Sequence, residues 1–167
     1  TFDGRNMTEL RSCARTLEFS DADIDVLLEL SESTTSRVGS GATWLLKALI
    51  EGGRPISSKQ LGRWAEAARG YVCWQSALHF CQVVRLLRVD KEELLLVSSQ
   101  LVSFLNHERP LVGVWALDGL VHLSDAYREL VPQAIAALEE MKLVSKPSVQ
   151  ARIRNLLRTR PYLGSVS

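Results

Sequence analysis

The residues best suited to chemistry lie on one predicted helix near the middle of the second half of the chain. Trp115 and Asp118 are three residues apart, so an indole ring and a carboxylate share one face of that helix. Arg152 and Arg154 follow about one structural repeat later. These are residue types that a nucleic-acid-processing site could use. Because Trp115 lies three residues after Val112, on the core-facing side, we predict instead that Trp115 packs in the core and that Asp118 is exposed.

Other reactive side chains form no recognisable catalytic or metal-binding set. The chain has no Cys-x-x-Cys pair and no His-x-x-x-His pair, and its histidines are scattered at His79, His107 and His122. We therefore predict no metal site. A Gly-rich phosphate loop and a Ser-His-Asp set are also missing from the sequence, so we predict no catalytic residues and no cofactor. These patterns favour a non-enzymatic protein.

Composition restricts the class of protein. The 20 Lys and Arg residues balance 19 Asp and Glu, and 46% of residues are hydrophobic. This balance excludes a uniformly basic nucleic-acid binder and a disordered acidic chain. No apolar run is long enough to span a membrane, so we predict no membrane contact. Three cysteines are too few for a disulfide scaffold, and we predict a cytoplasmic protein in which Cys73 and Cys81 are buried, reduced thiols.

Hydrophobic residues recur with helical spacing along nearly the whole chain. Ser20 precedes a carboxylate-rich segment and reads as a helix start. Helices are predicted over residues 38–51 and 71–89, the latter as one long apolar helix. Pro132 best fits the first turn of another helix, the alternative being a kink in a longer one, and Pro147 fits the start of the last helix. No segment alternates as a strand does, so the sequence predicts an all-α fold.

Comparing the chain with itself reveals a repeat. Residues 109–112 and 146–149 both pair a basic residue with proline and valine, 37 residues apart. Each is followed four and eight residues later by further core-type residues. The corresponding triplets are Val38, Ala42 and Leu46; Cys73, Ala77 and Cys81; Val112, Ala116 and Leu120; and Val149, Ile153 and Leu157. This period predicts helix pairs that stack and share one continuous core.

The period and the Pro-x-Val start of the first helix resemble HEAT and armadillo repeats. That resemblance implies a right-handed α-α superhelix, a HEAT-like helical repeat stack. The arginine that often follows the valine in those repeats is replaced here by Gly39, Gly113 and Gln150. We expect a single helical-repeat domain over residues 1–167. Capping helices would occupy 1–36, about three and a half helix pairs 37–158, and a tail 159–167.

A concave surface built by the second helix of each pair is where partners of such stacks usually dock. The outward positions on those helices are mixed in charge, which suits a protein or peptide better than a polyanion. The predicted binding residues are Arg63, Glu66, Ser103, Asn106, Glu139 and Lys142. The sequence therefore predicts a protein-interaction or scaffold module, and makes nucleic acid the less favoured partner.

The two ends of the chain carry opposite charge. Residues 16–36 hold six acids and no base, whereas 141–167 hold six bases and no acid. The basic end includes Arg152, Arg154, Arg158 and Arg160 and could take an anionic ligand. Contact between unlike ends of two copies would be heterologous and built from weak exposed ion pairs. We therefore predict weak head-to-tail self-association.

A second hypothesis belongs to a different functional class. Alkylpurine DNA glycosylases are HEAT-like and use aromatic, acidic and arginine residues in a basic concave groove. The combination of Trp115, Asp118 and Arg152 is similar to that set. This resemblance implies a nucleic-acid-binding or DNA-glycosylase-type protein that uses the basic C-terminal end.

Overall fold

The structure, a computed structural model, describes Thr8, Ser12, Ala14 and residues 18–164. Helix makes up 77% of the described residues, and these include no strand. Eight α-helices are complete within 18–164: α1 Asp21–Ser31, α2 Ser36–Glu51, α3 Ser58–Ala68, α4 Trp74–Val84, α5 Lys91–Leu105, α6 Pro110–Ala126, α7 Val131–Lys142 and α8 Pro147–Thr159. The all-α prediction is confirmed. Of the predicted capping helices in residues 1–36, α1 is described, whereas much of the preceding segment lies outside the described residues.

Local sequence explains where several helices begin. The Ser20 hydroxyl accepts from the Asp23 amide, and the Asp23 carboxylate accepts from the Ser20 amide at 2.7 Å, which closes a capping box at the start of α1. Ser57 and Gln60 form the same arrangement before α3. These reciprocal bonds satisfy backbone donors that have no partner inside the helix.

Proline marks three further helix starts, two of which, at Pro132 and Pro147, are as predicted. Pro110 is the first residue of α6 and Pro147 the first of α8, while Pro132 is the second residue of α7. Proline is tolerated there because its missing N–H lies among the unpaired donors of the first turn.

The prediction of one long helix over residues 71–89 is wrong, because α4 ends at Val84. The apolar pattern continues beyond it since Leu87 and Val89 are buried in the connecting segment. The Tyr127 hydroxyl donates to the Val89 carbonyl oxygen at 2.6 Å and holds this segment in place. Hydrophobic spacing alone does not distinguish a buried connection from a helical turn.

The helices pack in a regular order. Contacts run from α2 to α4, from α4 to α6 and from α6 to α8, so each of these helices meets the second one along the chain. On the other side, α1 contacts α3, and α3 contacts α5. The two sets meet through α1 with α2, α3 with α4 and α5 with α6, while α7 packs on both α6 and α8. The helix that joins most neighbours is therefore α6.

One hydrophobic cluster runs between the two sets of helices. At its centre Trp64, Phe80 and Phe104 meet edge to face, with ring centroids 5.9 and 6.3 Å apart. The repeat residues Val112, Ala116 and Leu120 are fully buried, as predicted.

Three predicted repeat positions differ from this pattern, and one of them, Leu157, is only half-buried where it packs against the core. Val38 is 41% exposed, because α2 has α4 on one side and no described helix of the same set on the other. Cys73 is only half-buried, because it lies just before α4 rather than within a helix. Cys81 is buried as predicted and carries a free thiol, and Cys13 lies outside the described residues.

Part of the segment predicted as a tail, residues 161–164, folds against the helices. Residues Pro161–Gly164 form a short 3-10 helix, and Leu163 is buried in the core. The Tyr162 hydroxyl lies 3.1 Å from the Ser124 hydroxyl on α6. This turn therefore closes one side of the surface that α6 and α8 form together.

Candidate functional site

A cleft opens where the end of α4 meets α6, α8 and the 3-10 turn. Asp118, His122 and Asp125 project from one face of α6 because they are four and seven residues apart. The cavity has a volume of about 560 Å³ and is lined by Arg85, Asp118, His122, Asp125, Arg152, Asn155, Thr159, Arg160, Pro161 and Tyr162. Three of its lining residues are arginines and two are aspartates, and we refer to it as the arginine cleft.

Two guanidinium groups lie over the indole ring of Trp115 at the edge of the arginine cleft. We call the part of the cleft formed by Arg85, Arg152 and Asp118 its upper part. The part formed by Asp125, Arg160 and Tyr162 is its lower part. The Arg152 Cζ atom is 3.6 Å from the ring centroid, and the Arg85 Cζ atom is 5.4 Å from it. Both distances allow cation–π attraction. Trp115 itself is half-buried against the core, so its packed side is fixed while its other surface carries the arginines.

Asp118 forms the floor of the arginine cleft and is 5% exposed. Its Oδ2 atom lies 3.3 Å from Arg152 Nη1 and 4.0 Å from Arg85 Nε, but accepts no hydrogen bond from the described residues. Burial raises the pKa of Asp118, and the charges of Arg152 and Arg85 oppose that shift. Asp118 is thus a buried carboxylate whose Oδ2 atom lies near two arginines but accepts no hydrogen bond from a described residue.

In the lower part of the arginine cleft, Arg160 and Tyr162 both bind Asp125. Arg160 Nε donates to the Asp125 carboxylate at 2.7 Å, and the Tyr162 hydroxyl donates to the same carboxylate at 2.8 Å. Burial lowers the pKa of His122, which favours the neutral imidazole. The imbalance of charge in the arginine cleft is therefore confined to its upper part.

Several predictions for this region need correction. Asp118 was predicted to be exposed and is buried, because Arg85 and Arg152 cover it from neighbouring helices. Trp115 is half-buried rather than fully in the core, because one side of its ring packs against the core while the Arg152 guanidinium lies over the ring. The predicted basic end is divided: Arg152 and Arg160 turn toward carboxylates on α6, while Arg154 is exposed. Arg158, also exposed, donates to Asn155 at 2.9 Å.

The residues that sequence reasoning missed here are Arg85, His122, Asp125 and Tyr162. Their spacing holds a signal that could have found them. Arg85 precedes Asp118 by 33 residues, and Asp125 precedes Tyr162 by 37. Pairs of polar residues about one repeat apart are candidates for contact between stacked helices.

The predicted concave-face residues lie elsewhere, on α3, α5 and α7 or at their ends. Arg63 pairs with Asp25 at 2.7 Å, Glu66 with Arg69 at 3.0 Å, and Lys142 with Glu139 at 2.6 Å. The Ser103 hydroxyl donates to the Gln100 carbonyl oxygen, and Asn106 follows the last residue of α5. None of these six residues lines the arginine cleft.

Both charged ends of the chain are partly neutralised within the molecule. Asp21 pairs with Arg54 at 3.0 Å, and Asp25 pairs with Arg63. At the other end, Arg152 and Arg160 face Asp118 and Asp125. Fewer charges are free for contact between copies than the sequence count indicates, and head-to-tail association stays a prediction.

The raised pKa of Asp118 predicts that the stability of the fold depends on pH. Between its ordinary pKa of 3.8 and its raised value, the folded chain keeps a proton that the unfolded chain has released. The free energy of unfolding therefore falls as pH rises through this window, and the deficit persists above it. The asparagine in Asp118→Asn does not titrate. We therefore expect the Tm of this variant, relative to that of the wild type, to increase as pH rises from about 4 to neutrality.

Thermal melts across this range measure the difference, with exposed Asp90→Asn as the matched control. A Tm difference for Asp118→Asn that is constant, or that favours the variant more at low pH, would contradict the burial of this carboxylate. The control is expected to show no comparable trend.

Within the described part of the chain, no group of three or more His, Cys, Asp or Glu residues is arranged to hold a metal ion. No helix there combines the length and the apolar character needed to cross a membrane. No protein-family model matches the chain, and no match was found among curated proteins or solved structures.

Proposed function

We propose that this chain is a non-enzymatic protein-interaction module of the cytoplasm, built as a right-handed, HEAT-like stack of helix pairs. Its partner, a protein or peptide, would dock on the face of α4, α6 and α8. The observation that carries this proposal is the arginine cleft. At its edge, Trp115 lies beside the guanidiniums of Arg85 and Arg152, neither of which makes a hydrogen bond to a described residue.

Contacts of one repeated position support the stack. Gly39, Gly113 and Gln150 each follow the repeat valine by one residue. A Cβ atom on Gly39 would lie 3.1 Å from the Ser31 carbonyl oxygen, and one on Gly113 would lie 2.5 Å from that of Leu105. Gln150 Nε2 donates to the Lys142 carbonyl oxygen at 3.0 Å. In all three places the partner carbonyl is eight residues earlier, as expected if the helix pairs are equivalent.

The residue types of the arginine cleft support binding of a partner. Tryptophan and arginine are the side chains most enriched among those that dominate the energy of protein interfaces. Trp115 is anchored against the core, so little conformational entropy would be lost when a partner covers it. A second pair, Trp74 and Arg109, lies at the other ends of α4 and α6, with 5.8 Å between guanidinium and ring.

Affinity capture from a cell extract tests the proposal. We expect wild-type protein to enrich at least one protein, and Arg152→Gln to lose it. Arg154→Gln is a matched control, since it makes the same change of charge on the same helix but lies outside the arginine cleft. Equal capture by both variants, at unchanged Tm, would show that the partner binds elsewhere. No enriched protein would contradict the proposal.

A second candidate function has one specific observation in its favour. Trp115, Asp118 and Arg152, the set that is similar to DNA glycosylases, do come together in the arginine cleft. Two features weigh against this alternative. The Arg152 guanidinium covers the ring on which a base would stack, and Arg152 and Arg160 already face carboxylates.

Binding to a DNA duplex as a function of salt separates the two candidates. Phosphate contacts release counterions, so a nucleic-acid binder would lose affinity steeply as salt rises. We expect no measurable duplex binding at physiological salt and no release of an alkylated base. A steep salt slope that Arg152→Gln reduces would favour the second candidate.

A further inference from the structure

The upper part of the arginine cleft holds more hydrogen-bond donors than acceptors. The guanidiniums of Arg85 and Arg152 each carry five N–H donors, and neither makes a hydrogen bond to a described residue. Their side chains are 39% and 24% exposed, so water and ligands can reach them. Among the described residues, the one carboxylate oxygen that lies near both arginines is Asp118 Oδ2, at 4.0 Å from Arg85 and 3.3 Å from Arg152. Two cations therefore share a single carboxylate, and that carboxylate is itself not hydrogen-bonded through this atom.

This donor surplus is local and pre-arranged. Arg160 and Asp125 neutralise each other at 2.7 Å in the lower part, so the excess of one positive charge belongs to Arg85, Arg152 and Asp118. Both guanidiniums are also held over the Trp115 ring. Stacking on an aromatic ring limits the motion of arginine, so less freedom is lost when its N–H groups bind an anion.

The arrangement selects an anion over a cation. A cationic ligand would need the Trp115 ring, which the Arg152 guanidinium covers at 3.6 Å, and would be repelled by both arginines. An anion meets two planar forks whose geometry matches a carboxylate or a phosphate.

Among anions, the arginine cleft suits a carboxylate better than a phosphate. One excess positive charge is neutralised by a monoanion, whereas a dianion would face the nearby carboxylates of Asp118 and Asp125. The cavity of about 560 Å³ is also much larger than one carboxylate, and leaves space for the chain that carries it.

We propose that the arginine cleft binds a carboxylate of an acidic peptide, held between the guanidiniums of Arg85 and Arg152 beside Trp115. This inference rests on the proposed function and names the chemistry of its partner. Asp118 then sets the preference for a single negative charge.

Fluorescence anisotropy with a labelled hexaglutamate peptide tests the inference on the full chain. We expect saturable binding of hexaglutamate, and none of labelled hexaglutamine or hexalysine. Arg85→Gln and Arg152→Gln should each weaken binding about tenfold or more, because each removes a charge-assisted pair of hydrogen bonds. Arg154→Gln should change the Kd by less than about twofold, the effect of a distant charge screened by salt. Asp118→Asn should bind more tightly, since it removes the opposing charge.

Thermal melts of each variant accompany the titrations. If Arg152→Gln lowers the Tm, its loss of binding does not distinguish a lost contact from a destabilised fold. Arg85→Gln, at the more exposed arginine, is then the deciding variant. Three results would overturn the inference: no saturable binding by wild type, an equal loss in Arg154→Gln, or tighter binding of a hexa-phosphoserine peptide than of hexaglutamate.

If wild type captures a partner from extract that Arg152→Gln loses, yet hexaglutamate does not bind, only the carboxylate inference fails. If the extract yields no partner while hexaglutamate binds as described, the broader proposal is the one that fails.

Discussion

Replacement of Leu120 by alanine is expected to lower the free energy of unfolding by about 2–5 kcal/mol. Leu120 is fully buried in α6, the helix that packs on α4, α5, α7 and α8. Removing its isobutyl group leaves a cavity bordered by several helices, which cannot all move inward to fill it. Equilibrium unfolding in urea measures the change through the transition midpoint at unchanged slope.

Ser99→Ala on α5 is the control for this experiment. Ser99 is exposed, and its hydroxyl donates only to carbonyl oxygens of its own helix, at Leu95 and Leu96. We expect a change within about 0.5 kcal/mol. If Leu120→Ala shifts the midpoint no more than Ser99→Ala does, the repeat register that places Leu120 in the core is wrong.

Gly113→Ala is expected to destabilise the protein by about 1–3 kcal/mol, although alanine is the better helix former. A Cβ atom at this position would lie 2.5 Å from the Leu105 carbonyl oxygen and 3.0 Å from the Met141 methyl group. The carbonyl belongs to the backbone at the end of α5, so it cannot turn aside. Relief requires α6 to move away from α5, which would loosen one of the closest helix contacts of the fold.

Gly62→Ala on α3 separates this steric effect from helix propensity. There the added Cβ would meet only the side-chain carboxyl of Glu93, which can swing toward solvent. We expect Gly62→Ala to be neutral or to stabilise the fold by up to about 1 kcal/mol. Urea unfolding of both variants gives the comparison, and similar stabilisation by the two would mean that α5 and α6 lie farther apart at Gly113.

The close approach at Gly113 also gives a reason for the glycine at this position, which the sequence alone does not give. The residues that follow Val38, Val112 and Val149 are Gly39, Gly113 and Gln150. Gly39 and Gly113 allow the end of the preceding helix to approach closely. The Gln150 side chain instead donates to the carbonyl oxygens of Lys142 and Val144, at 3.0 and 2.7 Å. Composition predicts neither choice, because the distance between helix ends depends on how the pairs stack.

The candidate site shows the same division between local and distant information. Helical spacing correctly places Trp115 and Asp118 on one side of a helix, and the repeat places Arg152 one unit later. It does not show that Arg152 reaches back to 3.3 Å from Asp118, or that Arg85 approaches from α4. Both arginines have long, flexible side chains, so their direction follows from the neighbouring helix surfaces rather than from their own helix.

Helix positions, their starts and most of the core could be read from the amino-acid order, because capping, proline placement and hydrophobic spacing act within a few residues. Ser20, Ser57, Pro110 and Pro147 begin helices for local reasons, and Leu120 is buried because of its phase. The arginine cleft depends on contacts between residues 30 to 37 apart, and their geometry arises only when three helices pack together. Burial of Asp118 is likewise a property of that packing, since its own helix would equally allow it to face water.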